Sequence, residues 1–275
     1  MKTRIPLTKK DAFVVLGCIA FLWTNLAVLS TTGRHRAKDF VCRSNLQQWA
    51  AVFAMYAADN DGGFTPGWYT GPTGTVQPGE RWFDAMKPYF DDNNDLVCCP
   101  TAVTPRLIIV DGKLVSTGAS GKFSAWGKFL GPGSYPVSLR GSYGSYGINI
   151  FICNPPAGST IGAGNSFIYK GLNQQNANQI PVLFDSMWID AYPFTSNQPP
   201  MFDGDFSSGG LKNCCIDRHS AAVNIFFLDF SVRRIGLKQL WELPWHTEWW
   251  ATYQTPTQWN DPNHWMYNMK DYAAN

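Results

Sequence analysis

The sequence predicts an α+β fold in which a long N-terminal helix, membrane-spanning in its first half, packs on a mainly antiparallel sheet with long loops. The run from Ala12 to Leu29 carries no charged residue, and no proline interrupts the chain between Pro6 and Pro66. Residues 106–115 and 221–235 each contain two short apolar strands around an aspartate-centred turn, which is typical of a β-hairpin. The composition, with 25 Gly, 18 Pro and only 15% charged residues, favours a loop-rich extracytoplasmic domain.

Four segments follow from these patterns. Residues 1–12 form a basic leader, residues 13–60 a transmembrane and spine helix, residues 61–241 a globular α+β head, and residues 242–275 a Trp-rich tail. The net charge of +2 gives no reason to expect a nucleic-acid partner.

The predicted helix has an apolar first half and an amphipathic second half. A basic segment before an apolar run favours a cytoplasmic N-terminus, and a run of about 18 residues is at the short end of what spans a bilayer. After Arg36 the apolar residues recur in steps of three and four, which places them on one face of a helix. These residues are Cys42, Leu46, Trp49, Phe53 and Tyr56.

Six cysteines outside the apolar run are candidates for disulfide bonds in an oxidising compartment. They are Cys42, Cys98, Cys99, Cys153, Cys214 and Cys215. Six cysteines allow about 15 pairings, and reduced, buried thiols are the alternative. Neither a CxxC nor an HxxxH spacing occurs, so the sequence does not favour a zinc site.

Two stretches resemble a known family. DAFVVLG, beginning at Asp11, resembles a degenerate class III prepilin signal, and AKDFVCRSNLQQWAAVFAMYAADNDGGF resembles the spine of pseudopilin-like, prepilin-type proteins of planctomycete-type bacteria. RHSAAVNIFFLDFSVRRIG is similar to the C-terminal H-x9-D-G motif of that family, with Asp-Phe in place of Asp-Gly.

The resemblance implies a pilin-like fold and a structural subunit of a type II secretion or type IV pilus-like assembly. The implied partners are other pilin-like subunits or copies of the chain, a prepilin peptidase that cuts between Ala12 and Phe13, and the membrane. The implied location is the inner membrane, with an extracytoplasmic head, or an extracellular filament. Gly17 stands where the family has glutamate, which puts processing and filament assembly in question. The resemblance also pairs Cys42 with Cys98 or Cys99.

His219 and Asp229 form the H-x9-D arrangement, but a catalytic pair does not follow from it. A strand over residues 221–228 would hold the two side chains about 30 Å apart at 3.3 Å per residue. We therefore expect His219 to bond Asp217 or Asp185, and Asp229 to cap a hairpin turn. Nucleophile and phosphate-binding motifs are absent from the sequence, which predicts no enzyme.

Two further ligand hypotheses remain open. Asp203 and Asp205 are candidates for a calcium site, with turn-forming aspartates as the alternative; no other cofactor is predicted. The second hypothesis is a membrane-anchored module that binds polysaccharide through the Trp-rich C-terminus, particularly Trp249 and Trp250.

Overall fold

The structure is a computed structural model of the chain. Its described backbone comprises residues 8–78, 81–90, 93, 95–105, 107–111, 113–117, 121–126, 143–205, 207, 209–253 and 255–269. Residues 1–7 of the predicted leader, Arg106 and Gly112 of the first predicted hairpin, and residues 254 and 270–275 of the predicted tail lie outside these ranges.

One continuous helix, α1, occupies Lys9–Asp59 and has 51 residues. It is therefore about 75 Å long at 1.5 Å per residue. Thr8 caps its first turn, because the Thr8 hydroxyl accepts from the Asp11 N–H while the Asp11 carboxylate accepts from the Thr8 N–H. At the other end Gly62 takes a left-handed conformation with φ of 75° and donates to the Ala57 carbonyl at 2.7 Å.

The prediction that the first half of α1 spans a membrane is wrong. Among the described residues, no helix is both long and apolar enough for a membrane crossing. The predicted single-pass location in the inner membrane is therefore not supported.

The head contains a five-stranded sheet. Its strands are β7 (Tyr146–Asn149), β8 (Pro181–Asp185), β9 (Asp190–Ala191), β10 (Ala222–Phe227) and β11 (Val232–Gly236). They lie in the order β11-β10-β8-β7-β9 across the sheet. The pairing of β7 with β9 is parallel and the other pairings are antiparallel. The fold is thus a mixed α and β arrangement with a mixed sheet, which corrects the predicted membrane-spanning, pilin-like architecture.

The remaining elements are short. Within the described residues, the other α-helices are α2 (Trp82–Phe90) and α3 (Trp249–Thr252). The same residues also form two-stranded ribbons outside the main sheet: β1 (Trp68–Thr70) with β2 (Val76–Pro78), β3 (Thr104–Pro105) with β6 (Ser124–Ala125), and β4 (Leu107–Val110) with β5 (Lys113–Ser116). Short 3-10 turns occur at Gly121–Phe123, Asn165–Phe167, Ala177–Gln179, Gly210–Asn213, Lys238–Glu242 and Gln258–Asn260.

The second half of α1 packs on the sheet through the predicted stripe. All five stripe residues are buried. The Phe53 ring meets the Phe226 ring of β10 edge to face, with centroids 5.8 Å apart. The Trp49 indole N–H donates to the Leu96 carbonyl at 2.9 Å, so the loop after α2 is held against the same helix face.

Most tryptophans from Trp241 to Trp265 belong to a second buried cluster, together with residues of β8, β10 and the segment after β11, and Trp250 is the exposed exception. Trp241, Trp245 and Trp249 are fully buried there. Their indole N–H groups all donate to backbone carbonyls, which satisfies the polar atom of each buried ring. The tail therefore contributes to the core of the head.

Candidate metal centre

Four side chains that bear metal-ligand atoms meet where α1 joins the head. They are Cys42 on α1, Cys99 in the loop after α2, Asp185 at the end of β8, and His219 just before β10. One ligand atom from each lies within 4.8 Å of the others, and all four residues are buried.

Local structure fixes each of these positions. Cys42 is the first residue of the buried stripe of α1, so it points at the sheet. Asp185 ends β8 opposite Tyr146 of β7. The chain turns sharply after His219, because Ser220 and Ala221 both adopt positive φ and the His219 N–H bonds the Ala222 carbonyl at 3.0 Å.

The contacts within the group are short. The Cys42 Sγ lies 3.5 and 3.6 Å from the two carboxylate oxygens of Asp185. The His219 Nε2 lies 3.1 Å from Asp185 Oδ2 and 3.5 Å from Cys99 Sγ. The other ring nitrogen, Nδ1, lies 3.4 Å from the Asp39 carboxylate on α1.

Arg218 supplies the positive charge beside this group. Its guanidinium is fully buried and donates to Asp185 Oδ1 at 3.1 Å. It also donates to the carbonyls of Ser145 and Ser124, both at 2.7 Å. The charge is therefore paired and its remaining donors are satisfied, as a buried guanidinium requires.

Neighbouring charges shift the pKa values of Asp185 and His219 in opposite directions. Burial of Asp185 opposes its charge, but the neighbouring His219 and Arg218 outweigh burial and lower the Asp185 pKa to about 2. Burial likewise opposes protonation of His219, yet Asp185 raises the His219 pKa to about 10. Burial raises the pKa of the Cys42 thiol well above its usual value.

Cys99 behaves differently from the other buried cysteines. Burial disfavours its thiolate, but hydrogen bonds from Cys42 and His219 and the charge of Arg218 lower the Cys99 pKa to about 6. Burial raises the pKa of the adjacent Cys98 to about 12. Only one thiol of the Cys98-Cys99 pair is thus prepared to act as an anion.

All seven cysteines are free thiols in this structure. Cys42 lies beside Cys99, one of the two partners that the resemblance implied, while Cys98 lies outside the group. Cys153 is buried in an apolar cluster with Phe151, and its side chain packs closely against Gly67. Cys214 and Cys215 are buried with separate partners, the Leu211 carbonyl and the Met266 sulfur.

The calcium candidates Asp203 and Asp205 have different partners. Asp205 pairs with Lys212 at 2.9 Å and accepts the backbone N–H groups of Met201 and Ser207. The Asp203 carboxylate accepts the N–H of Asp217 at 3.0 Å. The Asp205 carboxylate thus stabilises a turn in its own loop, whereas the Asp203 carboxylate joins its loop to the segment that precedes His219.

His219 and Asp229 lie at opposite ends of β10. His219 contacts Asp185, one of its two expected partners. Asp229 accepts both the N–H and the hydroxyl of Ser231, at 3.0 and 2.6 Å, and so closes the turn between β10 and β11.

The residues of the implied processing site lie on the exposed part of α1. Ala12, Phe13 and Gly17 are all helical and exposed, and α1 begins upstream of them at Lys9. A cut before Phe13 would remove the Thr8–Asp11 capping box.

Comparisons of the chain with protein-family models, with curated proteins and with solved structures each returned no match. The resemblance to pseudopilin-like proteins therefore stays a prediction based on the residues quoted above.

The sequence pointed to all four members in pairs, Cys42 with Cys98 or Cys99 and His219 with Asp217 or Asp185, but it did not group the four as ligands of one metal. It also did not single out Arg218 as the charge partner of Asp185, or Asp39 as a partner of His219. A cysteine at the head of a buried stripe and a histidine next to an arginine were the available signals.

Proposed function

We propose that the chain is a structural, pseudopilin-like subunit of a type II secretion or type IV pilus-like assembly, and that the first half of α1 packs against copies of itself. The observation that carries the proposal is the contrast between the two halves of α1. The second half is buried against the head, whereas apolar side chains of the first half are exposed, among them Phe13 (76%), Phe21 (69%) and Trp23 (72%).

The exposed apolar surface surrounds the helix. Phe13, Val14, Val15 and Leu16 are consecutive and exposed, so at 3.6 residues per turn they point to four different sides. A helix that is apolar all round is normally covered all round. A bundle of parallel copies offers that cover, because every subunit presents the same surface.

The magnitudes favour a bundle over a simple dimer. Burial of a large apolar side chain is worth about 1.5–3 kcal/mol, so the eight large side chains exposed from Phe13 to Trp23 supply on the order of 10–20 kcal/mol when covered. One neighbour covers only one side, and association costs about 4–15 kcal/mol. Several neighbours are therefore needed for stable packing.

Cys18 provides a direct test, since it is the exposed cysteine among the seven. We expect mild oxidation of the full chain, in buffer without lipid or detergent, to give dimers linked through Cys18. Sedimentation should show oligomers before oxidation. Cys18→Ser should abolish the cross-link and leave the oligomers intact.

The matched controls are two charge insertions. Leu16→Asp places a charge in the exposed half-helix and should reduce both the oligomers and the cross-link. Met201→Asp alters an apolar side chain of the head that is equally exposed (70% against 61% for Leu16) and should change neither. A chain that stays monomeric at every concentration tested, without a Cys18 cross-link, would contradict the proposal.

The Trp-rich polysaccharide module has less support. Trp249 is fully buried, and Trp250 is the exposed member of that pair. A buried indole presents no face on which a sugar ring can stack.

A further inference from the structure

We propose that Cys42 Sγ, Cys99 Sγ, Asp185 Oδ2 and His219 Nε2 form a tetrahedral zinc site that fastens α1 to the head. The inference does not depend on the proposed assembly, because all four ligands lie within one chain. It rests on the donor set, the distances between the donors, the charge balance and the outer hydrogen bonds.

Three of the six distances between donor atoms match the edges of a zinc tetrahedron, and the other three lie within 4.8 Å. Zinc–ligand bonds are about 2.3 Å to sulfur and about 2.0–2.2 Å to nitrogen or oxygen, so tetrahedral edges are about 3.6 Å from sulfur to nitrogen or oxygen and about 3.3 Å from nitrogen to oxygen. Cys42 Sγ lies 3.6 Å from Asp185 Oδ2 and Cys99 Sγ lies 3.5 Å from His219 Nε2. His219 Nε2 lies 3.1 Å from Asp185 Oδ2. Three edges of the tetrahedron are thus already near their final length.

The donor set selects zinc among the common metals. Two thiolates with one imidazole and one carboxylate form a mixed set of soft, borderline and hard ligands, which zinc accepts in tetrahedral geometry. Calcium and magnesium prefer oxygen ligands and six or more positions. Four protein ligands also leave no position for a substrate, so the site would be structural.

The charges balance when zinc is bound. Two thiolates and one carboxylate give three negative charges against the two positive charges of zinc, and Arg218 at Asp185 Oδ1 supplies the remaining positive charge. The Asp39 carboxylate beside His219 is balanced separately by Arg43, at 3.4 Å. A neutral buried site avoids the desolvation penalty of an unpaired charge.

Hydrogen bonds from outside the group hold the ligands in orientation. The Asp39 carboxylate faces His219 Nδ1 at 3.4 Å, which orients Nε2 toward the metal in the carboxylate–histidine arrangement common in zinc proteins. The Asn224 N–H donates to Asp185 Oδ2 at 2.9 Å. The Tyr146 hydroxyl donates to Cys42 Sγ at 3.4 Å, a bond that would be kept when the sulfur binds a metal as a thiolate.

The site joins four distant parts of the chain and has an entry path. Cys42 belongs to α1 and Cys99 to the loop after α2. Asp185 is the last residue of β8, and His219 lies just before β10. A cleft of about 280 Å³, lined by Asp39, Arg218 and His219 among others, opens beside the site. Zinc would therefore enter next to His219 and fix the base of the exposed half-helix relative to the sheet.

Metal analysis of the purified full chain tests the inference. After production in zinc-supplemented medium and dialysis, we expect about one zinc per chain, as determined by mass spectrometry of the metal. Cys42→Ser and Cys99→Ser should lose stoichiometric zinc. Cys98→Ser is the matched control, because Cys98 is the buried neighbour of Cys99 and lies outside the ligand group; it should keep its zinc.

A second measurement avoids any variant that fails to fold. The unaltered chain, freed of zinc by chelation and loaded with cobalt(II), should show thiolate-to-cobalt charge-transfer absorption and the spectrum of a tetrahedral ion. Alkylation should label Cys42 and Cys99 only after chelation. A chain that takes up neither metal, a Cys98→Ser variant that loses zinc, or a Cys42–Cys99 disulfide in the chain isolated without reductant would each overturn the proposal.

Discussion

The Asp185 carboxylate is the anion that pairs with the buried Arg218 guanidinium, and Asp185→Asn tests what its charge contributes to stability. The asparagine keeps the size and shape of the side chain but leaves the Arg218 guanidinium, which is fully buried, without its anion. Breaking a buried ion pair by removing one partner costs about 3–5 kcal/mol. We expect the free energy of unfolding to fall by that amount.

Urea unfolding measures the effect, followed by circular dichroism in excess chelator and reductant so that neither metal nor disulfides contribute. With a slope of about 3 kcal/mol per molar urea, the midpoint should fall by about 1–2 M. The matched control is Asp229→Asn, since Asp229 is exposed and asparagine preserves its turn. That control should move the midpoint by less than about 0.2 M. If Asp185→Asn also moved the urea midpoint by less than about 0.2 M, with an unchanged slope, the reasoning would be refuted.

Two further substitutions test the packing and titration of the head. His246 is buried among aromatic rings, and burial lowers its pKa to about 4, so the unfolded chain binds the proton first. The burial of neutral His246 contributes fully to stability above about pH 6.5, and this contribution falls by about 1.4 kcal/mol per pH unit as the pH falls toward 4. His246→Phe should remove this pH dependence from the free energy of unfolding, measured by chemical unfolding at several pH values. Phe53→Ala should cost about 3–5 kcal/mol in chemical unfolding, because Phe53 packs on the sheet at 2% exposure, whereas Phe40→Ala, at 67% exposure on the same helix, should cost under about 0.5 kcal/mol. Equal effects from Phe53 and Phe40 would contradict the placement of the stripe.

The periodic pattern of apolar residues predicts which face of the long helix is buried. The residues from Cys42 to Tyr56 repeat in steps of three and four, and this stripe is the face that the structure buries. The β10–β11 hairpin was predictable for a similar reason, because two apolar runs flank the turn residue Asp229. Both features arise from interactions between residues close in sequence.

The membrane-spanning prediction shows where such patterns mislead. An uncharged run of about 18 residues is at the short end of what spans a bilayer, and among the described residues no helix is both long and apolar enough for a crossing.

The ligand group was not predictable from spacing. Its nearest members in sequence, Asp185 and His219, are separated by β9, a long loop and the 3-10 turn at Gly210–Asn213, and Cys42 lies far upstream of both. Their meeting depends on the register of β8 against β10 and on positive φ at Ser220 and Ala221, which are not glycines. Tertiary pairing of this kind leaves no local signature.

X-ray absorption at the zinc edge of the zinc-loaded full chain tests the central claim most directly. We predict four-coordinate zinc with two sulfur atoms at about 2.3 Å and two nitrogen or oxygen atoms at about 2.0–2.2 Å, which corresponds to the two cysteines, His219 and Asp185. A six-coordinate shell of nitrogen and oxygen alone, or a shell of four sulfur atoms, would contradict the assignment of these four ligands.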